Sequence, residues 1–103
     1  MPSQDFKRSD RIADLIKVEI SLVLSKEVKD PRVQGITVLN VILTPDMKKA
    51  DIFISQTNSF NQIDQEELKS GLEKARGFIR KKLSQNLNLR RIPEIFFKIE
   101  EYF

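Results

Sequence analysis

The sequence predicts a single α+β domain, in which helices pack on one face of a three-stranded sheet. The chain of 103 residues is long enough for one core, and its apolar residues switch between helical spacing and the two-residue spacing of strands. The predicted order is α-β-β-α-kink-α-β. That order fits a two-layer sandwich in which the helices cover a small sheet.

The first helix is predicted to begin at Ser9 or Asp10 and to run to about Lys29. Serine and aspartate are preferred at helix N-caps, and the apolar residues that follow recur every three or four positions on one broad face. A proline follows Asp30, and the residue before a proline disfavours the helical conformation. The helix is therefore expected to stop by Asp30, with a loop after it.

Two further segments, Ile36–Thr44 and Ala50–Gln56, are predicted to form a β-hairpin, and Glu94–Glu101 a third strand. The first segment is dense in β-branched residues, and Pro45 with Asp46 favours a turn between the two strands. Because both faces of the first strand are fairly apolar, we expect it to be central in the sheet.

The second helix is expected to follow a cap at Asp64, with Glu67 completing a variant of the capping box. Gly77 falls inside its apolar periodicity. A glycine in a helix interior costs about 1 kcal/mol relative to alanine, which suggests a kink at Ala75 and Gly77 and a third helix beyond it. The alternative is that Gly77 avoids a clash where two helices cross.

The segment Lys74–Arg91 carries the main concentration of positive charge. It contains seven of the 18 Lys and Arg residues and none of the 15 Asp and Glu residues, in a chain of net charge +3. An apolar stripe at helical spacing runs through it, so one face would enter the core and the other would suit a polyanion, most commonly nucleic acid. The alternative is a merely solvated helix face. The candidate RNA-binding residues are Lys74, Arg76, Arg80, Lys81, Lys82, Arg90 and Arg91.

Four residues outside this segment are weaker candidates. Lys48 and Lys49 form a small basic group in the hairpin turn, for which a solvated turn is the favoured interpretation. Phe53 and Phe96 are expected on the sheet face away from the helices, where they would stack on RNA bases or pack against each other or a protein. We favour packing or a protein contact.

The composition excludes several classes of site. The chain has no Cys and no His, which removes disulfides, thiolate or imidazole metal ligands and histidine-dependent catalysis. The acidic pairs Glu66-Glu67 and Glu100-Glu101 have no nucleophile or glycine-rich phosphate loop near them. We therefore expect no enzyme activity, no cofactor and no metal. The sequence shows no signal peptide or membrane span, and we expect a cytoplasmic monomer.

Five short motifs occur in an order that resembles the bacterial ribosome-binding factor A family. The resemblance extends from Arg8 to Phe103, with residues 1–7 as an N-terminal arm. The motifs are Asp30-Pro31-Arg32, Thr44-Pro45-Asp46, Ala75-Arg76-Gly77, Phe78-Ile79-Arg80 and the run Leu87–Glu94, LNLRRIPE, and Ala50 at the start of the second strand also fits the family.

The resemblance implies a single type II KH-like RNA-binding domain at residues 8–103. It implies association with the small (30S) ribosomal subunit and 16S rRNA during late maturation and rRNA processing, a role in cold adaptation, and no catalysis or small-molecule substrate. The family's interhelical kink falls on Ala75 and Gly77, and the Gly-x-x-Gly loop of ordinary KH domains is absent. The alternative function is a protein-interaction module whose basic helix docks an acidic protein.

Overall fold

The structure, a computed structural model, describes residues 4–56 and 64–100, with side chains from Arg8 onward. Helix α1 (Gln4–Lys26) leads through a 3-10 turn at Pro31–Val33 into a hairpin of strands β1 (Ile36–Leu43) and β2 (Lys49–Gln56). Helix α2 (Gln65–Asn86) then crosses to strand β3 (Glu94–Ile99). The α+β class and the three-stranded sheet are confirmed.

The ends of α1 differ from those predicted. The helix begins at Gln4, inside the predicted N-terminal arm, and it ends at Lys26. The side chain of Ser9 is only 2% exposed and Ala13 only 7%, so Ser9 lies in the core-facing stripe one turn before Ala13. Since the helix already begins at Gln4, Ser9 lies inside the helix and is not its N-cap.

The sheet order is β1-β2-β3, so the prediction that the first strand is central was wrong. Strand β2 pairs antiparallel with β1 and parallel with β3. The two apolar faces of β1 have another cause, an irregularity in pairing between Val38 and Asn40. A bulge of this kind shifts the alternation by one residue, and it places Val41 in the core and leaves Ile42 53% exposed.

Helix α2 is continuous where two helices were predicted. It runs from Gln65 to Asn86 through Ala75 and Gly77, and the Asp64 side chain caps it by accepting a hydrogen bond from the Glu66 amide. The predicted division into two helices is therefore wrong. The predicted third helix is the second half of α2, because its apolar stripe continues across Gly77 without losing register.

The core lies between the two helices and one face of the sheet. Each fully buried leucine or isoleucine contributes roughly 1.5–3 kcal/mol of stability. Those that are at most 1% exposed are Ile16, Ile20, Ile52, Ile54, Leu68, Leu72, Ile79, Leu83 and Ile95.

The glycine at a close approach is Gly71 rather than Gly77. A Cβ atom added at Gly71 would lie 2.9 Å from Val33 Cγ1 and 3.1 Å from Arg32 Cβ, so α2 packs there directly on the 3-10 turn. A Cβ added at Gly77 would meet no atom of the described structure within 4 Å. The interpretation that Gly77 relieves a helix crossing is therefore also wrong.

Candidate nucleic-acid interface

Five of the candidate cations lie along the exposed circumference of α2, opposite and beside its buried stripe. We call Lys74, Arg76, Arg80, Lys81 and Lys82 the α2 surface. Each residue of an α-helix is rotated by about 100° from the one before. The five residues therefore divide into a flank beside β3, a crest that faces solvent and a flank beside the end of α1.

The flank beside β3 holds two arginines in fixed positions. Arg76 donates from Nη1 to the carbonyl oxygen of Ile95 at 3.2 Å, and its Nη2 pairs with Glu73. Arg80 donates from Nε to the Pro93 carbonyl at 3.3 Å and from Nη2 to the Ile92 carbonyl at 3.2 Å. A guanidinium has five N–H donors, so each arginine keeps donors that are not used in these bonds.

The charge on this flank is mixed. A shallow cavity of about 400 Å³ beside Arg76 and Arg80 also has Glu73 and Glu94 in its lining. Glu73 neutralises part of the charge of Arg76 through their ion pair. The flank is thus less positive than the acid-free segment Lys74–Arg91 indicates.

The crest of α2 combines a glycine with lysines one turn away on either side. Gly77 is exposed, with Lys74 three residues before it and Lys81 four residues after it, both also exposed. Residues at these spacings lie on one helix face. No ion pair of Lys74 or Lys81 occurs within residues 8–56 and 64–100. The crest therefore presents bare helix backbone between two cations, and Gly77 also borders the cavity that Glu73 and Glu94 line.

The flank beside α1 is an aromatic and cationic edge. The Phe78 ring is 40% exposed, and Lys82 Nζ lies 5.5 Å from its centroid and 3.3 Å from Glu27 Oε1. A groove of about 390 Å³ separates Phe78 and Lys74 from the residues that follow α1, including Asp30. This flank ties α2 to the end of α1.

Asp30 is ionised under all ordinary conditions. Hydrogen bonds from the side chain and the amide of Arg32 lower the pKa of the Asp30 carboxyl to about 2, and the charge of Lys74 contributes in the same direction. The carboxylate caps the 3-10 turn, and the Arg32 guanidinium pairs with it at 2.6 Å. The Asp30-Pro31-Arg32 motif thus has a structural role at this turn.

Arg90 and Arg91 lie apart from the other five, in the connection from α2 to β3. There they line a cleft together with Arg8 of α1 and the hairpin turn around Asp46 and Met47. We call this the arginine cleft. The seven predicted residues therefore form two neighbouring groups.

Arg8 was not among the residues predicted from the sequence, and the structure brings it into the same cleft as Arg90 and Arg91. Its only sequence signal is a position one turn before Ile12, near the start of an amphipathic helix. That spacing does not reveal which loop the side chain will meet.

The weaker candidates have ordinary positions. Lys48 and Lys49 are exposed at the hairpin turn. Phe53 and Phe96 alternate with the buried residues of their strands, so both lie on the sheet face away from the helices. They are half-buried, and Phe96 pairs in register with Asp51 while Phe53 pairs with Lys98. The two rings are thus diagonal neighbours rather than direct partners.

The described residues contain neither a group of metal ligands nor a helix able to span a membrane. In residues 4–56 and 64–100, no three His, Cys, Asp or Glu side chains are grouped in a way that would hold a metal ion. Neither α1 nor α2, the helices described, combines the length and apolar character needed to cross a bilayer.

Comparison with known proteins confirms the resemblance found in the sequence. The sequence model of the family described as ribosome-binding factor A matches residues 8–103. Ribosome-binding factor A of Syntrophus aciditrophicus (strain SB) is 43% identical over 98 residues, which cover 95% of this chain and 78% of the relative.

Solved structures show the same fold. The crystal structure of ribosome-binding factor A from Thermus thermophilus superposes with a TM-score of 0.77 at 19% identity, covering 88% of this chain and 93% of that one. A homology model of the Thermus thermophilus protein, fitted into the cryo-EM map of a 30S-RbfA complex, gives a TM-score of 0.56 at 24% identity, covering 80% and 90%.

Proposed function

The chain belongs to the ribosome-binding factor A family, and we propose that it associates with the small (30S) ribosomal subunit and contacts 16S rRNA during late maturation. It acts there without catalysing a reaction, in the cytoplasm and as a monomer, and it supports rRNA processing and growth in the cold. Family membership supports the ribosomal partner, and the α2 surface is our proposal for the main contact.

The exposed Gly77 is the main observation that supports the α2 surface as the contact with RNA. A glycine in the middle of a helix lowers stability by about 1 kcal/mol relative to alanine, and no described neighbour of Gly77 requires the absence of a side chain. Glycine also permits a ligand to approach the backbone closely. Since Lys74 and Lys81 lie one turn to either side, the ligand that suits this position is a phosphate backbone.

Arg76 and Arg80 add directional contacts to this position. Their bonds to the carbonyls of Ile95, Pro93 and Ile92 fix both guanidinium groups before RNA arrives. Ordering a long side chain in advance lowers the entropic cost of binding. Arginine favours paired contacts to phosphate oxygens, whereas lysine supplies a less directional charge. These contacts would position the protein on RNA, and the shape of the subunit would select the site.

The test is co-sedimentation with purified small subunits. Replacing Arg80 and Lys81 with glutamate should release the protein from the subunits, because two attractive charges become repulsive. The matched control replaces Arg11 and Lys98, which are exposed on α1 and on β3 away from the α2 surface, with glutamate. If both variants bind equally well, or lose binding equally, the α2 surface is not the main contact.

Salt dependence separates this function from the docking of an acidic protein. Contact with six or seven RNA phosphates makes the logarithm of the affinity fall against the logarithm of the salt concentration with a slope of roughly −4 to −6. The two-glutamate variant of the α2 surface should have a shallower slope. Binding to a generic acidic protein as tight as binding to subunits would instead favour the protein-interaction function.

A further inference from the structure

The arginine cleft is a concave site of about 430 Å³, built from three separate parts of the chain. Arg8 comes from α1, Arg90 and Arg91 from the connection between α2 and β3, and Met47 from the hairpin turn. Its volume lies in the range of about 300–1,000 Å³ that is typical of small-ligand sites. A site of this size accepts a ligand as small as one nucleotide.

The three arginines at the rim are available to a ligand. Arg8, Arg90 and Arg91 are exposed, and among the described residues none of them has an ion pair. This differs from the α2 surface, where Arg76 and Lys82 are paired with Glu73 and Glu27. Three guanidinium groups and one carboxylate, Asp46, line the cleft, so its net charge is positive and attracts an anion, and phosphate is the anion whose geometry the arginines match best.

The floor of the cleft is apolar. Ile12, Met47 and Leu89 are partly buried hydrophobic residues that pack against the core, and Pro93 is fully buried beside them. Met47 has a positive φ of 62°, which is uncommon for a residue with a side chain. The turn therefore holds this side chain in the floor despite an unfavourable backbone conformation. An apolar floor under a cationic rim suits a ligand with a flat apolar part and a phosphate.

Polar groups at the mouth complete the lining. The Asp46 carboxylate accepts hydrogen bonds from the Thr44 hydroxyl at 2.7 Å and from the Lys48 amide at 3.0 Å. These bonds lower the pKa of Asp46, so it stays ionised and fixed in position. Asn88 also lines the cleft and supplies an amide. A fixed carboxylate and an amide can accept from and donate to the polar edge of a base.

We propose that the arginine cleft binds one unstacked nucleotide of a single-stranded RNA segment, as a second contact beside the α2 surface. The phosphate lies against Arg8, Arg90 and Arg91, and the base lies on Ile12, Met47 and Leu89. Proteins read single-stranded RNA in this way, by holding splayed bases while cations hold the backbone. The proposal rests on the proposed function for the identity of the RNA, but the cleft can be tested without ribosomes.

The experiment measures fluorescence anisotropy of a labelled, unstructured RNA hexamer with the full chain. Replacing Arg90 and Arg91 with alanine should weaken binding by about tenfold or more, because two of the three arginines that contact the phosphate are lost. Arg8→Ala, on a different element, should weaken binding in the same direction. The matched control replaces Lys74 and Lys81 with alanine. This variant should lose less affinity for the hexamer than the Arg90 and Arg91 variant, but it should co-sediment less with small subunits.

Three further probes decide what occupies the cleft. A hexamer with abasic sugars should bind the wild-type chain more weakly, and equal binding would overturn the placement of a base. A duplex of the same sequence that binds as tightly would also overturn the proposal. Free mononucleotide should compete only weakly, and competition as effective as that of the hexamer would make this a site for free nucleotides instead. Loss of hexamer binding only in the Lys74 and Lys81 control would assign single-stranded RNA to the α2 surface.

Discussion

Arg80 joins the second half of α2 to the approach to β3, since its Nε atom donates to the carbonyl oxygen of Pro93 at 3.3 Å. Pro93 also lies in the lining of the arginine cleft. One side chain of the α2 surface therefore holds a wall of the neighbouring cleft, and the two proposed RNA contacts keep a fixed relation to each other.

Replacing Arg80 with lysine should loosen this connection while the net charge stays constant. Lysine cannot span both carbonyl oxygens with a planar group, so we expect a loss of about 1 kcal/mol in the free energy of unfolding. Hydrogen exchange should become faster at the Glu94 amide, which donates to the Lys48 carbonyl at the start of β3. Unchanged exchange at Glu94 would show that Arg80 does not hold this end of the strand.

Gly77→Ala should raise stability and lower affinity for small subunits. Alanine favours the helix by up to about 1 kcal/mol over glycine, and the added Cβ has open space in the described structure. The same methyl group would stand where we propose that RNA approaches the backbone. Chemical denaturation and co-sedimentation measure the two effects. A variant that is more stable and binds as tightly as the wild type would remove Gly77 from the interface.

Gly71→Ala should have the opposite effect on stability. A Cβ at this position would lie 2.9 Å from Val33 Cγ1 and 3.1 Å from Arg32 Cβ, so α2 or the 3-10 turn must move apart. We expect a loss of about 1–3 kcal/mol, as for other overpacked sites, measured by denaturation. Stability equal to or above that of the wild type would mean that the turn adjusts without cost.

Asp30→Asn should make the stability of the fold less dependent on pH in the acid range. The pKa of Asp30 is lowered from 3.8 to about 2 in the folded chain by Arg32. A carboxyl pKa that is lower in the folded than in the unfolded chain stabilises the fold at any pH above the pKa of the unfolded chain. This contribution is lost as the pH falls from about 4 towards 2. Melting temperatures of wild type and variant should therefore differ at neutral pH and converge at acid pH. A constant difference would exclude ionised Asp30 as the cause.

The local chemistry of the chain was sufficient to predict most of its elements. The spacing of residues such as Leu68, Leu72 and Ile79 marked the buried face of α2, and Asp64 marked its start, because helix periodicity and capping depend on neighbours a few positions away. The motifs were also sufficient for the family. The concentration of cations in Lys74–Arg91 was evident, but its division into two groups was not.

The sequence by itself determined the α+β class, the hairpin, the core-facing stripes and the family, because each follows from patterns within short stretches. Only the tertiary structure decided that β1 is an edge strand, that α2 continues through Gly77, and that Arg8 joins Arg90 and Arg91 at one cleft. The physical reason is that strand neighbours and side-chain clusters depend on how separate elements pack. Burial at Gly71 and exposure at Gly77 are likewise properties of that packing.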